Sequence, residues 1–405
     1  MMSKREVDQT PKEFINNNHN NISMFMNRKI AATLSRALMK ISIRGGAGQE
    51  EMRRFSSAKG KQGMQLVFLG TSAALPTISR NTSCIALRHG ITTYLFDCGE
   101  GSYRQLQKTP FRICKINKIF ITHMHGDHVM GVPGFLCSIG RTLIKYNQPI
   151  EVYGPQGLRD WLRASLQACF GRVESKYMVH ELVLKEDKSL ARVATQSSAK
   201  NEHEDELPGE DIICSGDGLW HVCKDNNLEV KAGILQHNVP CWGYVVEEQI
   251  GRSNLEQILD SEPRCNMEHV ALQKTDISSI SRSEKEKLSN ILGLNKRSRK
   301  VVILGDTCDS RSLLVAAKDA DVLVHEATIV REHDVPESIL RTHSSSRMAG
   351  EFAKAINAKF LILTHFSGYI LGRDTVLVDL VNEAKNASGK DIVIAAKDFL
   401  TVRVL

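Results

Sequence analysis

Three histidines and one aspartate stand within the six residues HMHGDH, as His123, His125, Asp127 and His128. Imidazole nitrogens and carboxylate oxygens are the ligands that zinc and similar divalent metals take from proteins. Gly126 allows the backbone to bend, so that alternate side chains can converge on one point. The types and spacing of these residues therefore predict a metal-binding turn.

The element in front of this turn is the apolar run KIFIT at residues 118–122, which predicts a buried β-strand. Other candidate functional residues also stand at the ends of apolar runs or before a helical pattern. They are His237, Asp306, His325, His343 and His365. One such residue alone would be read as a structural polar residue, but five together favour a shared site. We interpret His325, at the end of DVLVH, as the structural member of this set.

Strand-like runs dominate the elements that must position these residues. They occupy residues 65–71, 92–101, 118–122, 150–154, 228–235, 242–247, 300–305, 321–325, 359–365, 391–395 and 399–405. Helical patterns lie between several of them, as at residues 311–320 and 344–358, and Ser344 or Ser345 is the expected N-cap of the second. The alternation predicts an α/β protein in which helices cover sheets.

The net positive charge of the chain comes entirely from its N-terminal segment. The whole chain has 53 basic residues (Lys and Arg) and 46 acidic residues (Asp and Glu). The first 63 residues hold 12 of the basic and five of the acidic residues, so the rest of the chain has 41 basic and 41 acidic residues and is neutral. We therefore interpret residues 1–63 as a disordered N-terminal extension. The sequence RRFSS at 53–57 is typical of a mitochondrial presequence, which predicts import into the matrix. A basic tail on a cytoplasmic or nuclear protein is the alternative.

Composition predicts a soluble protein with reduced thiols. The chain is 42% hydrophobic and 24% charged, and it has no apolar run near the roughly 18 residues needed to cross a bilayer. Its ten cysteines form no CxxC pair, and we expect Cys98 to be a buried small side chain. We predict a catalytic domain over residues 64–405, in which the polar, acidic residues 184–226 form a surface insertion.

Several longer motifs resemble the ribonuclease Z family of the metallo-β-lactamase superfamily. They are FLGTSAALPT (68–77), LFDCGEGSYRQL (95–106), KIFITHMHGDHVMGVPGFL (118–136), IEVYGPQGLRDWL (150–162), HNVPCWGYVVE (237–247), GDT (305–307), VHEAT (324–328), HSSS (343–346) and LTHFS (363–367). The resemblance implies an α/β fold of the four-layer αββα sandwich type. One copy of the motifs in a chain of this length implies the short form of the family, which acts as a homodimer.

The resemblance also implies a role for each candidate residue. One zinc ion would be held by His123, His125 and His237, and a second by Asp127, His128 and His365, with Asp306 bridging the two Zn²⁺ ions of each subunit. Asp127 would in addition accept a proton, and His343 would donate a proton or hydrogen bond at the scissile phosphate. Glu326 would orient His343.

The function implied is a zinc-dependent endoribonuclease that removes the 3′ trailer of precursor tRNA by two-metal hydrolysis and leaves a 3′-hydroxyl. The alternative is a metal-dependent phosphodiesterase of the same fold for small or cyclic phosphodiesters. A catalytically inactive RNA-binding protein is disfavoured because all seven ligand positions are present. Residues 249–299 occupy the place of the family's tRNA-binding arm but lack its Gly-Pro motif. Basic residues there and at the following position, among them Arg299 and Lys300, either contact phosphates or form a solvated surface.

Overall fold

The computed structural model describes residues 41–44, 63–143, 148–184, 203–225, 227–249, 298–334, 336–370 and 373–404. Its strands are β1 (Ile41–Arg44), β2 (Met64–Gly70), β3 (Cys84–His89), β4 (Thr92–Phe96), β5 (Ile116–Phe120), β6 (Ile150–Pro155), β7 (Tyr177–Val183), β8 (Glu206–Leu207), β9 (Asp211–Ile213), β10 (Trp220–Asp225), β11 (Leu228–Leu235), β12 (Cys241–Glu248), β13 (Lys300–Ile303), β14 (Val322–Glu326), β15 (Phe360–Thr364), β16 (Val393–Ala395) and β17 (Thr401–Val404). Its helices are α1 (Ser102–Gln107), α2 (Gly126–Val129), α3 (Val132–Leu143), α4 (Leu158–Ala168), α5 (Glu337–Leu340), α6 (Ser346–Ala355) and α7 (Asp374–Ser388).

Two sheets contain these strands. The first has the order β1-β17-β2-β3-β4-β5-β6-β7-β8, with β9 also paired to β7, and the second has the order β10 to β16. Strands β4 to β7 run parallel to one another, and so do β13 to β16. Strand β11 has the direction of β13, because both are antiparallel to β12. The carboxyl ends of β4, β5, β11, β13, β14 and β15 are therefore available to build one site.

Three apolar cores join the sheets and helices in four layers. The inner faces of the two sheets pack against each other through large side chains such as Phe68, Phe120 and Trp242. The outer face of the first sheet is covered by α1, α3 and α4, and the outer face of the second by α6 and α7. This is the αββα sandwich predicted from the sequence, and that fold prediction is confirmed. Among the described residues, no helix is long and apolar enough to cross a bilayer.

Most of the predicted strands are present, with small differences at their ends. The sequence prediction missed β3 and β7, and the helix predicted at 311–320 is a short 3₁₀ turn at Arg311–Leu313 followed by turns. Helix α6 begins after Ser345, whose hydroxyl accepts a hydrogen bond from the Met348 amide, so Ser345 is the N-cap. Cys98 is fully buried, as expected, and the nine described cysteines are all free thiols.

The polar stretch predicted as a surface insertion is in part a structural element of both sheets. Residues 203–225 contain β8 and β9, which extend the first sheet, and β10, which begins the second. Trp220 is 3% exposed and contacts Trp242 edge to face in the inner core. The prediction for 184–226 was wrong here because alternate positions of the strand WHVCKD point inwards although the stretch as a whole is polar. Residues 185–202 lie outside the described residues.

The structure describes small parts of two further predicted segments, residues 1–63 and 249–299. Four residues of the extension predicted as disordered form β1, which pairs with β17 over its full length, because backbone hydrogen bonding there completes an edge of the sheet. Of residues 249–299, only Gln249, Ser298 and Arg299 are described. Arg299 is 8% exposed and bonds to both carboxylate oxygens of Glu248, while Lys300 contacts Glu247 and two carbonyls. These two cations therefore have structural partners in the fold.

Candidate metal centre

The residues singled out in the sequence meet at one edge of the sandwich. The turn after β5 carries His123, His125, Asp127 and His128, and the three residues from neighbouring strand ends are His237, Asp306 and His365. The backbone amide of Trp242 at the start of β12 donates to the Thr122 carbonyl at 2.9 Å, which joins the two sheets directly beside this turn. The fold thus brings all seven predicted metal ligands together.

The first group of ligand atoms comes from three histidines and one aspartate. His125 Nδ1 lies 3.0 Å from His123 Nε2 and 3.3 Å from His237 Nε2. Asp306 completes the group, with its Oδ2 atom 3.7 Å from His123 Nε2. Ligand atoms around a tetrahedral zinc ion, with bonds of about 2.0–2.1 Å to nitrogen, stand roughly 3.3 Å apart. The spacing and chemistry of this group therefore fit zinc.

The second group contains Asp127, His128 and His365. His365 Nε2 lies 3.2 Å from His128 Nε2 and 3.2 Å from Asp127 Oδ2. The other oxygen of Asp306, Oδ1, lies 3.6 Å from His128 Nε2. Asp306 therefore presents one oxygen to each group, which is the geometry that a bridging carboxylate requires.

His128, His237 and His365 are each oriented by a contact on the ring nitrogen opposite the one that faces a neighbouring histidine of the groups. Asp97 Oδ2 lies 2.7 Å from His128 Nδ1, and its other oxygen accepts from the Thr122 amide at 2.8 Å. The Thr342 carbonyl lies 2.7 Å from His237 Nδ1, and Thr328 Oγ1 lies 2.9 Å from His365 Nδ1. Contacts of this kind select the tautomer whose free lone pair faces a metal.

Burial and charge set the protonation of the cluster. Burial lowers the pKa of His123 well below its ordinary value and also lowers the pKa values of His125 and His237, so these rings are neutral, as metal ligation requires. For His128, burial acts in the same direction, but Asp97 and Asp306 outweigh it and raise the pKa well above the ordinary value. A cation in the second group would compete with the proton on His128.

Asp127 is ionised and held by the backbone. Its Oδ2 atom accepts a hydrogen bond from the Ala74 amide at 2.8 Å. Burial alone would raise the pKa of Asp127, but hydrogen bonds from His128 and His365 lower it well below its ordinary value. The ionised form is the one that can ligate a metal or accept a proton.

A second carboxylate–imidazole pair lies beside the ligand groups. Glu326, which is 1% exposed, has its two oxygens 3.1 and 3.2 Å from His343 Nδ1. The Thr307 amide donates to Glu326 Oε1 at 2.6 Å and fixes the carboxylate. Burial opposes both charges, yet the contact raises the pKa of His343 and lowers that of Glu326. His343 is therefore cationic at neutral pH and contacts Asp306 at 3.8 Å.

His325 does not join the cluster. Its two ring nitrogens contact Ser310 Oγ at 3.1 Å and the Glu326 carbonyl at 2.9 Å, which agrees with its interpretation as a structural residue. Sequence reasoning missed Asp97 and Thr328 as contributors to the site. Asp97 follows a buried strand and has a positive φ of 58°, so an acid at a strand end in DCGEG was the available signal.

The four-layer sandwich and the HMHGDH turn at its edge define a hydrolase of the metallo-β-lactamase fold. The chain is 34% identical over 346 residues to a ribonuclease Z of Picosynechococcus sp., covering 84% of this chain and 96% of that protein. It is 32% identical over 361 residues to the human zinc phosphodiesterase ELAC protein 1, covering 84% and 98%. The crystal structure of the short form of human tRNase Z superposes with a TM-score of 0.57 at 30% identity, covering 84% and 99%.

A protein-family model described as anti-Pycsar protein Apyc1 matches residues 64–202, which is less than half of the chain. The relatives named above are matched over nearly their whole length. The chain belongs to the ribonuclease Z family.

Proposed function

We propose that this protein is a zinc-dependent endoribonuclease that removes the 3′ trailer of precursor tRNA and leaves a 3′-hydroxyl on the tRNA. The observation that carries the proposal is the pair of ligand groups that share Asp306, next to the Glu326–His343 pair. The names of its relatives, ribonuclease Z, tRNase Z and zinc phosphodiesterase, support the substrate class and the metal.

The residues present fit two zinc ions. His123, His125 and His237 would hold one, Asp127, His128 and His365 the other, and Asp306 would bridge them. When bound, such a pair of ions supplies an activated water and neutralises charge on the phosphoryl oxygens.

Two side chains are placed to move protons. Asp127, as an ionised carboxylate that is 10% exposed, accepts a proton from the attacking water. His343 is 18% exposed, and its Nδ1 atom is hydrogen-bonded to Glu326. The other ring nitrogen, Nε2, is therefore the one that can donate to the departing 3′ oxygen. A raised pKa keeps His343 in the protonated form that this role needs.

The test is cleavage of a 5′-labelled precursor tRNA by the full-length, zinc-loaded protein, with Asp127→Ala beside it. The proposal expects one cut at the discriminator base, absent in the variant, and a product that ends in a 3′-hydroxyl. A small chromogenic phosphodiester is assayed in parallel. Turnover of that diester with the tRNA left intact would contradict the proposal and favour a phosphodiesterase for small or cyclic diesters.

The homodimer is also part of the proposal. It rests on the likeness to the short-form tRNase Z, whose length this chain covers almost completely. Light scattering coupled to gel filtration should give twice the mass of 45.2 kDa, and a monomer at micromolar concentration would contradict it.

Import into the mitochondrial matrix is proposed from the basic N-terminal segment with its RRFSS sequence at 53–57. The test is imaging of a reporter fused behind residues 1–63. Colocalisation with a matrix marker is expected, and a diffuse cytoplasmic or nuclear signal would contradict it. A fusion in which Arg36, Lys40 and Arg44 are changed to Gln is the matched control, since it removes positive charge without changing length.

A further inference from the structure

Thr328 lies between the second ligand group and the Glu326–His343 pair. Its Oγ1 atom lies 2.9 Å from His365 Nδ1, and its hydroxyl donates to the His365 carbonyl at 2.9 Å. Thr328 is only partly buried and is not a ligand in either group. Its contacts therefore concern the orientation of other residues.

The hydrogen count of a hydroxyl decides the tautomer of His365. A threonine hydroxyl has one hydrogen to donate and two lone pairs to accept with. Its hydrogen is used on the His365 carbonyl oxygen, because that oxygen cannot donate. The contact with His365 Nδ1 must then be an N–H of the ring donating to Thr328. This leaves the lone pair on Nε2, the atom that faces His128 and Asp127.

His365 has a second candidate partner on the same side. Asp306 Oδ1 lies 3.4 Å from His365 Nδ1, beyond the usual length of a hydrogen bond. Without the Thr328 hydroxyl, the ring N–H would turn towards this carboxylate, and the ring would swing away from the second group. The backbone of His365, held at a positive φ of 56°, would also lose the contact on its carbonyl.

We propose that Thr328 is the positioning residue that fixes the His365 tautomer and so secures the metal ion of the Asp127–His128–His365 group. The inference rests on the proposed function for the ligand assignment. It concerns one of the two ions only, because no described contact joins Thr328 to His123, His125 or His237.

The experiment compares zinc binding by the full-length wild type, Thr328→Val and Thr328→Ser. Valine keeps the shape and removes the hydroxyl, whereas serine keeps the hydroxyl. Each protein is loaded with zinc and dialysed against buffers of graded free zinc, and zinc per chain is measured by mass spectrometry. Wild type and Thr328→Ser should retain two zinc ions per chain over the same range of free zinc. As free zinc is lowered, Thr328→Val should lose one of its two ions at a free zinc concentration about 10–100-fold higher than wild type does, and it should keep the other ion as wild type does.

The possible results separate failure of the inference from failure of the proposed function. A Thr328→Val protein with wild-type zinc affinity for both ions, or a Thr328→Ser protein as weak as valine, would overturn the inference. A wild type that binds no zinc would contradict the proposed function instead. Circular dichroism checks folding, and if valine unfolds the chain, Thr328→Ala provides a smaller variant without the hydroxyl. Nitrogen NMR of the His365 ring should show Nδ1 protonated in wild type, and an Nε2-protonated ring would also overturn the inference.

Discussion

Both oxygens of Glu326 face the same nitrogen of His343, at 3.1 and 3.2 Å, in a position that is almost completely buried. The pair comes from two separate elements, the end of β14 and the loop before α6. It is coupled to the metal ligands through the Thr307 amide, which follows Asp306 in the chain and donates to Glu326. The candidate proton donor and the candidate metal ligands therefore lie next to each other in the fold.

Glu326→Gln should lower kcat about 100-fold or more and leave zinc content unchanged. The amide keeps the shape but not the charge that holds His343 protonated, and a positioned general acid contributes about 10²–10⁴-fold. Steady-state kinetics with precursor tRNA and metal analysis check this. The matched control is Glu337→Gln, which changes an exposed partner of Arg341 near the same loop and should leave kcat intact. A Glu326→Gln enzyme with wild-type kcat would exclude the acid role of His343.

Asp97→Asn should weaken metal binding about 10-fold or more. Asparagine tolerates the positive φ at this position, but it removes the negative charge that faces His128 Nδ1 at 2.7 Å. Zinc competition with a fluorescent chelator measures the effect. Asp217→Asn, at an exposed carboxylate paired with His221, is the control. Equal affinities for the two variants would show that Asp97 does not orient His128.

Glu248→Gln should destabilise the fold near neutral pH by about 3 kcal/mol, because it removes the negative charge that faces the buried Arg299 guanidinium. Burial alone would raise the pKa of Glu248, but His89 and Arg299 lower it from 4.5 to about 2. A depressed carboxyl pKa stabilises the fold above the unfolded value and loses this effect as pH falls through the folded value. Urea unfolding should therefore show a gap between wild type and variant that narrows between pH 4.5 and about 2. A difference in unfolding free energy that does not change with pH would contradict the ion pair between Glu248 and Arg299.

Trp220→Ala should reduce the free energy of unfolding by about 3–5 kcal/mol. Trp220 fills the inner core beside Trp242, and its indole N–H donates to the Val183 carbonyl at 3.1 Å. Phe170→Ala, at a side chain that is 92% exposed, should change stability by less than about 0.5 kcal/mol. Chemical denaturation of both variants provides the comparison. A negligible effect of Trp220→Ala would contradict the role of this side chain in the inner core.

The sequence was sufficient for the layer architecture and for the residues that the fold brings together in the candidate metal centre, because apolar runs that end in histidine or aspartate are local signals. The sequence was insufficient where a residue's hydrogen-bonding partner is distant in the chain. Asp97 contacts His128 across 31 positions and Thr328 contacts His365 across 37, and neither contact has a local pattern. Strand β10 was missed for a related reason, since the burial of Trp220 depends on β11 and β12 and not on the polar residues around it.

The two-metal centre can be tested by anomalous diffraction at the zinc absorption edge from crystals of the zinc-loaded protein. We expect two anomalous peaks about 3.5–4 Å apart. One should lie among His123, His125 and His237, the other among Asp127, His128 and His365, with Asp306 touching both. A single peak, or two peaks elsewhere in the protein, would contradict the two-metal centre on which the proposed cleavage of precursor tRNA depends.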